Sequence, residues 1–175
     1  MDFGLKGKVA LITGGARGIG FADAQALGAE GARIALNEID PIACEHALKV
    51  LHAQGVEAFG FIGDATDEAS VAKITQEVST QLGQIDILVN NAGIGVKPAY
   101  KVADMPIAAW DAMIHSHMKS TFLWSRAVIP YMEKNHFGRI INMSSMNFTG
   151  GGRPGVSHYA AAKAGIQGFT QTLAK

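Results

Sequence analysis

The 175-residue chain holds one cysteine, Cys44, which can form no internal disulfide and fits a reducing compartment. Charge is sparse at 17% of residues and balanced, with 15 basic side chains against 15 acidic ones. Lacking a basic excess or a lysine/arginine run, the chain offers no electrostatic handle to nucleic acid or to an anionic membrane. No apolar run approaches the roughly 20 residues of a spanning helix. Residues 1–8 lack the apolar stretch of a secretory signal, so a cytoplasmic location is expected. Repeats, low-complexity segments and internal linkers are absent too, which leaves one globular domain. At this length a single core buries roughly 70% of the surface of the unfolded chain, so no metal or disulfide is needed to hold it. Glycine, by contrast, is abundant at 21 residues, and much of it follows strand-like runs where close backbone approach is useful.

Short apolar runs alternate with longer stretches of helical period. That is the pattern of an α/β fold, a Rossmann-type doubly wound parallel sheet with helices on both faces. Strands are expected at residues 9–13, 34–36, 56–62, 85–89 and 139–143, and near-continuous apolar strands imply burial on both sides. Helices are expected at about 18–30, 40–54 and 67–82, then as one or two from 106 to 135, and finally from 157 onward. Gly31 and Gly55 stop the first two, and Asp40-Pro41 starts the second with a cap and a proline at the first helical position. A sheet of order 3-2-1-4-5-6 would continue past the last helix into a sixth strand. None follows, so the C-terminal strands are expected to be missing and the fifth strand to be left as an open edge. Either the chain is truncated or a partner covers that edge.

Thr13-Gly14-Gly15-Ala16-Arg17-Gly18-Ile19-Gly20 lies directly after the first strand and opens a helix. Backbone N–H groups at such a helix start can meet a pyrophosphate, while glycine permits the tight turn. An ordinary glycine-rich turn is the plainer alternative, and the spacing differs from the usual dinucleotide fingerprint. Glu38 ends the second strand, where a carboxylate can accept hydrogen bonds from an adenosine ribose and favours NAD over NADP. Arg17 pulls the other way, since its guanidinium could bind a 2′-phosphate. Asp64 and the run Asn90-Asn91-Ala92-Gly93 stand at further carboxyl ends of strands, where ligands bind in open sheets.

Tyr159 and Lys163 are one helical turn apart, so phenol and ammonium share a face. A nearby positive charge stabilises a phenolate, as an acid/base tyrosine requires. The same spacing also arises on solvated helix faces. Ser144-Ser145, after the fifth strand, can supply a hydroxyl to a carbonyl oxygen held near the tyrosine.

Taken together, these residues resemble the short-chain dehydrogenase/reductase family over essentially the whole chain, with 3-oxoacyl reductases among the plausible relatives. The resemblance implies that Gly14, Gly18 and Gly20 line a pyrophosphate, Glu38 holds the adenosine ribose and Asp64 contacts the adenine. Asn91, Ala92 and Gly93 would sit against the cofactor and brace the central strand, and Arg17, Ile19 and Ala65 complete the cofactor set. It further implies Tyr159 as proton donor and acceptor, Lys163 as its activating group and as a hold on the nicotinamide ribose, and Ser145 as the group polarising the substrate oxygen. The implied reaction interconverts a secondary alcohol and a ketone with NAD, NADP being the alternative; no metal is implied. Trp110 and the helices around 106–135 and from 157 onward would form a subunit interface, giving a homodimer or homotetramer.

Two departures accompany the resemblance. Where the family usually reads Val-Asn-Leu the chain reads Ser116-His117-Met118, so His117 takes the place of an asparagine in the catalytic set. It either keeps a proton-relay role, adding a titration near 6.5, or is a buried histidine satisfied by a backbone carbonyl. The family's sixth strand, lid and seventh strand have no counterpart, and these 175 residues alone are expected to hold the adenosine half better than the nicotinamide half and to turn over poorly. A non-catalytic nucleotide-binding module that pairs through its open edge is the reading from another class. Met143, Met146 and Phe148 flank Ser145 and line either an apolar substrate pocket or the core. The Gly150-Gly151-Gly152 run is read as a mobile loop. His158 is expected to turn away from the site. His115 and His136 are read as structural.

Overall fold

A computed structural model of the chain describes residues 1–147, 149 and 152–175. Val9–Thr13 (β1), Arg33–Glu38 (β2), Ala58–Ile62 (β3), Ile87–Asn90 (β4) and Arg139–Asn142 (β5) form one parallel sheet in the order β3-β2-β1-β4-β5. The helices are Gly18–Ala29 (α1), Pro41–Ala53 (α2), Glu68–Leu82 (α3), Ile107–Ile114 (α4), Ser120–Lys134 (α5) and Ser157–Leu173 (α6). Successive residues of β1 point to opposite faces. Val9 and Leu11 join a core with Ile74 and Val78 of α3 and Trp124 and Val128 of α5, whereas Ala10 and Ile12 join another with Ala24 of α1 and Leu51 of α2. This double-sided burial makes β1 apolar from end to end.

Burial on both sides fails at the sheet edges. β3 and β5 mix covered and exposed positions, with Ile62 and Ile141 about half exposed, because an edge strand has a neighbour on one side only and less helix above it. At the amino end of the sheet, buried Asp86 accepts hydrogen bonds from Val9 N at 2.8 Å, Lys8 Nζ at 3.0 Å and Gln84 Nε2 at 2.6 Å. This ties the amino end of β1 to the segment that leads into β4. The chain crosses from β3 to β4 on the far side of β1, and the crevice between the carboxyl ends of β1 and β4 is the switch point where such sheets bind ligands.

Helix starts follow local chemistry. The Asp40 carboxylate accepts from Ile42 N and Ala43 N, and Asp67 accepts from Ser70 N, each satisfying N–H groups that a helix cannot. The long helical stretch after Pro106 runs without a break in backbone sense from α4 to α5 through a π-helical turn at His115–Lys119. Such turns often mark functional positions, and this one carries His117.

Candidate active site

Thr13, the one polar residue of β1, organises the turn that follows it. Its hydroxyl accepts from Asn91 N at 3.1 Å and Ala92 N at 3.0 Å, while the Asn91 amide donates to the carbonyls of Thr13 at 3.1 Å and Gly14 at 3.0 Å. Two glycines of the turn then divide the work. A Cβ on Gly20 would lie 2.5 Å from Asn91 Nδ2 and 2.7 Å from the Gly14 carbonyl, so Gly20 is there for close packing. Gly18 has a left-handed φ of 56° and nothing within 4 Å of where its Cβ would stand, so it shapes the turn and leaves the helix start open. Among the described residues no side chain caps α1. An uncapped helix start beside open space suits an anionic group.

Beyond the turn lies a cavity of about 170 Å³ lined by Gly14, Asn37, Glu38, Asp64, Ala65, Ala92 and Gly93, among others. Buried Asn37 donates to the Gly63 carbonyl at 3.0 Å and so ties the ends of β2 and β3 together beneath it. One oxygen of Glu38 accepts from Ile39 N at 2.9 Å, and one of Asp64 accepts from Thr66 N and Oγ1, both at 2.8 Å. Their second oxygens make no hydrogen bond among the described residues. Ile19 is exposed, and Arg17 is ion-paired with Asp40 and does not line the cavity.

On α6, Lys163 is buried and its ammonium sits 5.7 Å from the centre of the Tyr159 ring while donating to the Met143 carbonyl at 2.5 Å. Burial pushes the Lys163 pKa down to about 8. Ser144 Oγ donates to the Lys163 carbonyl at 3.1 Å, so the segment after β5 is clasped to α6 from both directions. Ser145 Oγ accepts from Asn147 N and Nδ2, each at 3.2 Å, and its own proton is left to give. A buried chain of amides secures the frame: Asn90 Nδ2 donates to Ser125 Oγ at 3.1 Å and Asn142 Oδ1 at 2.8 Å, and Asn142 Nδ2 donates to Thr170 Oγ1 at 2.8 Å. It links β4 and β5 to α5 and α6.

His117 is buried, packs edge to face on Tyr159 at 5.3 Å between ring centres, and donates from Nε2 to the Ile94 carbonyl at 3.1 Å. Its ring occupies the space over Gly93, where a Cβ would come within 2.1 Å of Cε1. Nδ1 is buried without a partner among the described residues. Burial, followed by the Lys163 charge and the smaller effect of His158, lowers the His117 pKa to about 4. The expected titration near 6.5 is therefore corrected: the imidazole is neutral across the working range. Because protons bind the unfolded form first, this group's stabilisation is whole above pH 6.5 and is lost as pH falls toward 4. Wild-type protein should lose ~2 kcal/mol between about pH 7.5 and pH 5 that a His117→Asn variant keeps. Urea unfolding of both proteins at the two pH values measures it, and equal losses would contradict it.

Three further histidines differ in burial. His158 is buried edge-on to Tyr100 at 6.4 Å, while His115 and His136 are exposed, His136 with a left-handed φ of 51° just past α5. Met146 is 86% exposed and is not core, and Met143 contributes its carbonyl to Lys163. Phe148, Gly150 and Gly151 lie outside the described residues. Among the described residues no three His, Cys, Asp or Glu side chains converge as metal ligands, and no helix is long and apolar enough to cross a membrane. The hydrogen bonds made by Thr13 and Asn37, the pairing of Asp40 with Arg17 and the Asn90–Asn142 bond were not read from the sequence. For the last pair a signal was present, because each asparagine follows apolar residues at the end of its strand, and the two lie in register.

Residues 8–175 match the family described as short chain dehydrogenase. An uncharacterized oxidoreductase of Bacillus subtilis is 38% identical over 167 residues, covering 95% of this chain and 64% of that protein. A 3-oxoacyl-[acyl-carrier-protein] reductase of Pseudomonas aeruginosa is 39% identical over 171 residues, covering 98% of this chain and 68% of that protein. Among solved structures, NAD+-bound xylitol dehydrogenase superposes with a TM-score of 0.93 at 34% identity over 97% of this chain and 65% of that one. The chain thus spans about two thirds of the length of these relatives.

Proposed function

This chain belongs to the short chain dehydrogenase family of oxidoreductases, and we propose that it interconverts a secondary alcohol and a ketone on a partly apolar substrate, with NAD as cofactor and Tyr159 as general acid and base. The fit for a nicotinamide dinucleotide rests on this chain's own features. The uncapped α1 start with Gly14, Gly18, Ile19 and Gly20 would take the pyrophosphate, Glu38 the ribose, and Asp64 with Ala65 the adenine. Asn91, Ala92 and Gly93 would back the cofactor, with Tyr159 and Lys163 at its nicotinamide end. When bound, the cofactor gives or takes the hydride.

The buried Lys163 ammonium, fixed one turn from Tyr159, is the observation that carries this reading. Its charge stabilises phenolate character on Tyr159 as the phenol hands its proton to the substrate oxygen, and the reverse direction returns that proton. The Ser145 hydroxyl donates to the same oxygen and polarises its bond to carbon. Neutral His117 buttresses the Tyr159 ring and holds the Gly93–Ile94 backbone against the site. Association as a homodimer or homotetramer through α4, α5 and α6, in the cytoplasm, belongs to the same proposal.

Incubation with NAD and a panel of secondary alcohols should raise NADH absorbance. Protein that binds NADH but stays silent across a broad panel overturns the activity. Folded protein that does not bind NADH overturns the cofactor reading.

A further inference from the structure

Arg17 and Glu38 favour opposite cofactors, since a guanidinium suits a 2′-phosphate and a carboxylate suits a free 2′-hydroxyl. A third residue bears on this conflict. Asp40 caps α2 with Oδ1, which accepts from Ile42 N at 3.0 Å and Ala43 N at 3.1 Å, and holds the Arg17 guanidinium with Oδ2. One carboxylate therefore anchors the start of α2 and restrains the residue that precedes α1. Arg17 is absent from the lining of the cavity, whereas Glu38 and Asp64 both line it. The Glu38 carboxylate also accepts from Ile39 N at 2.9 Å and Asp40 N at 3.4 Å, which keeps the acid at the cavity rim.

We propose that Asp40 is a specificity-determining residue for the cofactor: by tying Arg17 into an ion pair, it denies a 2′-phosphate its counter-charge and leaves the cavity to a dinucleotide with a free 2′-hydroxyl. The proposal rests on the nicotinamide-cofactor reading above. Hydrogen bonding from Ala43 N, the Arg17 guanidinium and Ile42 N hold the Asp40 carboxyl below the usual carboxylate range, so the clamp stays charged at any working pH. The pair is partly exposed and weak alone, so its effect is a bias between two dinucleotides.

Asp40→Asn tests this, because asparagine caps a helix as well as aspartate does while releasing Arg17. Dissociation constants for NADH and NADPH, measured by calorimetry at two salt concentrations, should show the NADPH-to-NADH ratio falling about fivefold in the variant, and less at high salt. Adding Arg17→Ala should restore the ratio. An unchanged ratio with normal NADH binding overturns the proposal. So does a folded Asp40→Asn variant that binds neither dinucleotide, since Asp40 would then support the site without discriminating. Wild-type protein that binds neither dinucleotide overturns instead the cofactor reading beneath it.

Discussion

Replacing Tyr159 with phenylalanine should lower turnover about a thousandfold or more, roughly 4 kcal/mol of barrier, while leaving fold and NADH affinity near those of the wild type. The substitution deletes one oxygen. Tyr159 makes no side-chain hydrogen bond among the described residues, and its ring packs edge to face on His117 at 5.3 Å, a contact that phenylalanine keeps. The fold therefore loses little, whereas the groups that remain among the described residues are poor replacements as proton donor: Ser145 is an aliphatic alcohol and a far weaker acid than a phenol, Lys163 points its ammonium to the Met143 carbonyl, and His117 is neutral with its N–H committed to Ile94. Kinetics at saturating cofactor, set beside NADH calorimetry, separate the outcomes. A drop in turnover with unchanged affinity supports an acid/base role. Turnover that survives the change removes Tyr159 from the chemistry, and a variant indistinguishable in every assay from a silent wild type favours a binding module.

The strands and the helix starts were legible because each is dictated locally. An apolar run flanked by helical periods has to be buried on both faces, and Asp40-Pro41 has a single good use. The open edge at β5 was expected, but the exposure of Ile62 at the β3 edge was not legible, since the residues of β3 are as apolar as those of β1. How many neighbours a strand has is a property of the sheet and not of the strand. The same division runs through the site. Glycine spacing and the Tyr159–Lys163 pair are local, and the structure sets them at the carboxyl ends of the strands. The pairing of Arg17 with Asp40, the packing of His117 over Gly93 and the grip of Thr13 on Asn91 join residues far apart in the chain, so they appear only once the strands are placed. His117 shows the cost of reasoning from residue type: an isolated imidazole titrates near 6.5, but burial beside an ammonium moves this one to about 4.

Lys163→Met should separate stability from chemistry. In the wild type the ammonium is buried with the Met143 carbonyl as its one hydrogen-bond acceptor among the described residues, and its pKa falls from 10.5 to about 8. Between those values the unfolded chain holds more protons than the folded one, so wild-type stability rises with pH from about 8 to 10.5. Below pH 8 the buried charge costs ~3 kcal/mol relative to the unfolded state, an upper figure set by the shift. Methionine fills similar space without charge and forgoes a hydrogen bond of ~1 kcal/mol, which leaves a net gain of ~2 kcal/mol at pH 7. Urea unfolding should show that gain at pH 7 and its disappearance near pH 10.5. Turnover should fall more than about a hundredfold, because nothing then stabilises charge on Tyr159. A variant less stable than wild type at pH 7 would mean that the ammonium contributes more to the fold through its packing than its burial costs. A stabilised variant that still turns over would sever Lys163 from the proton transfer.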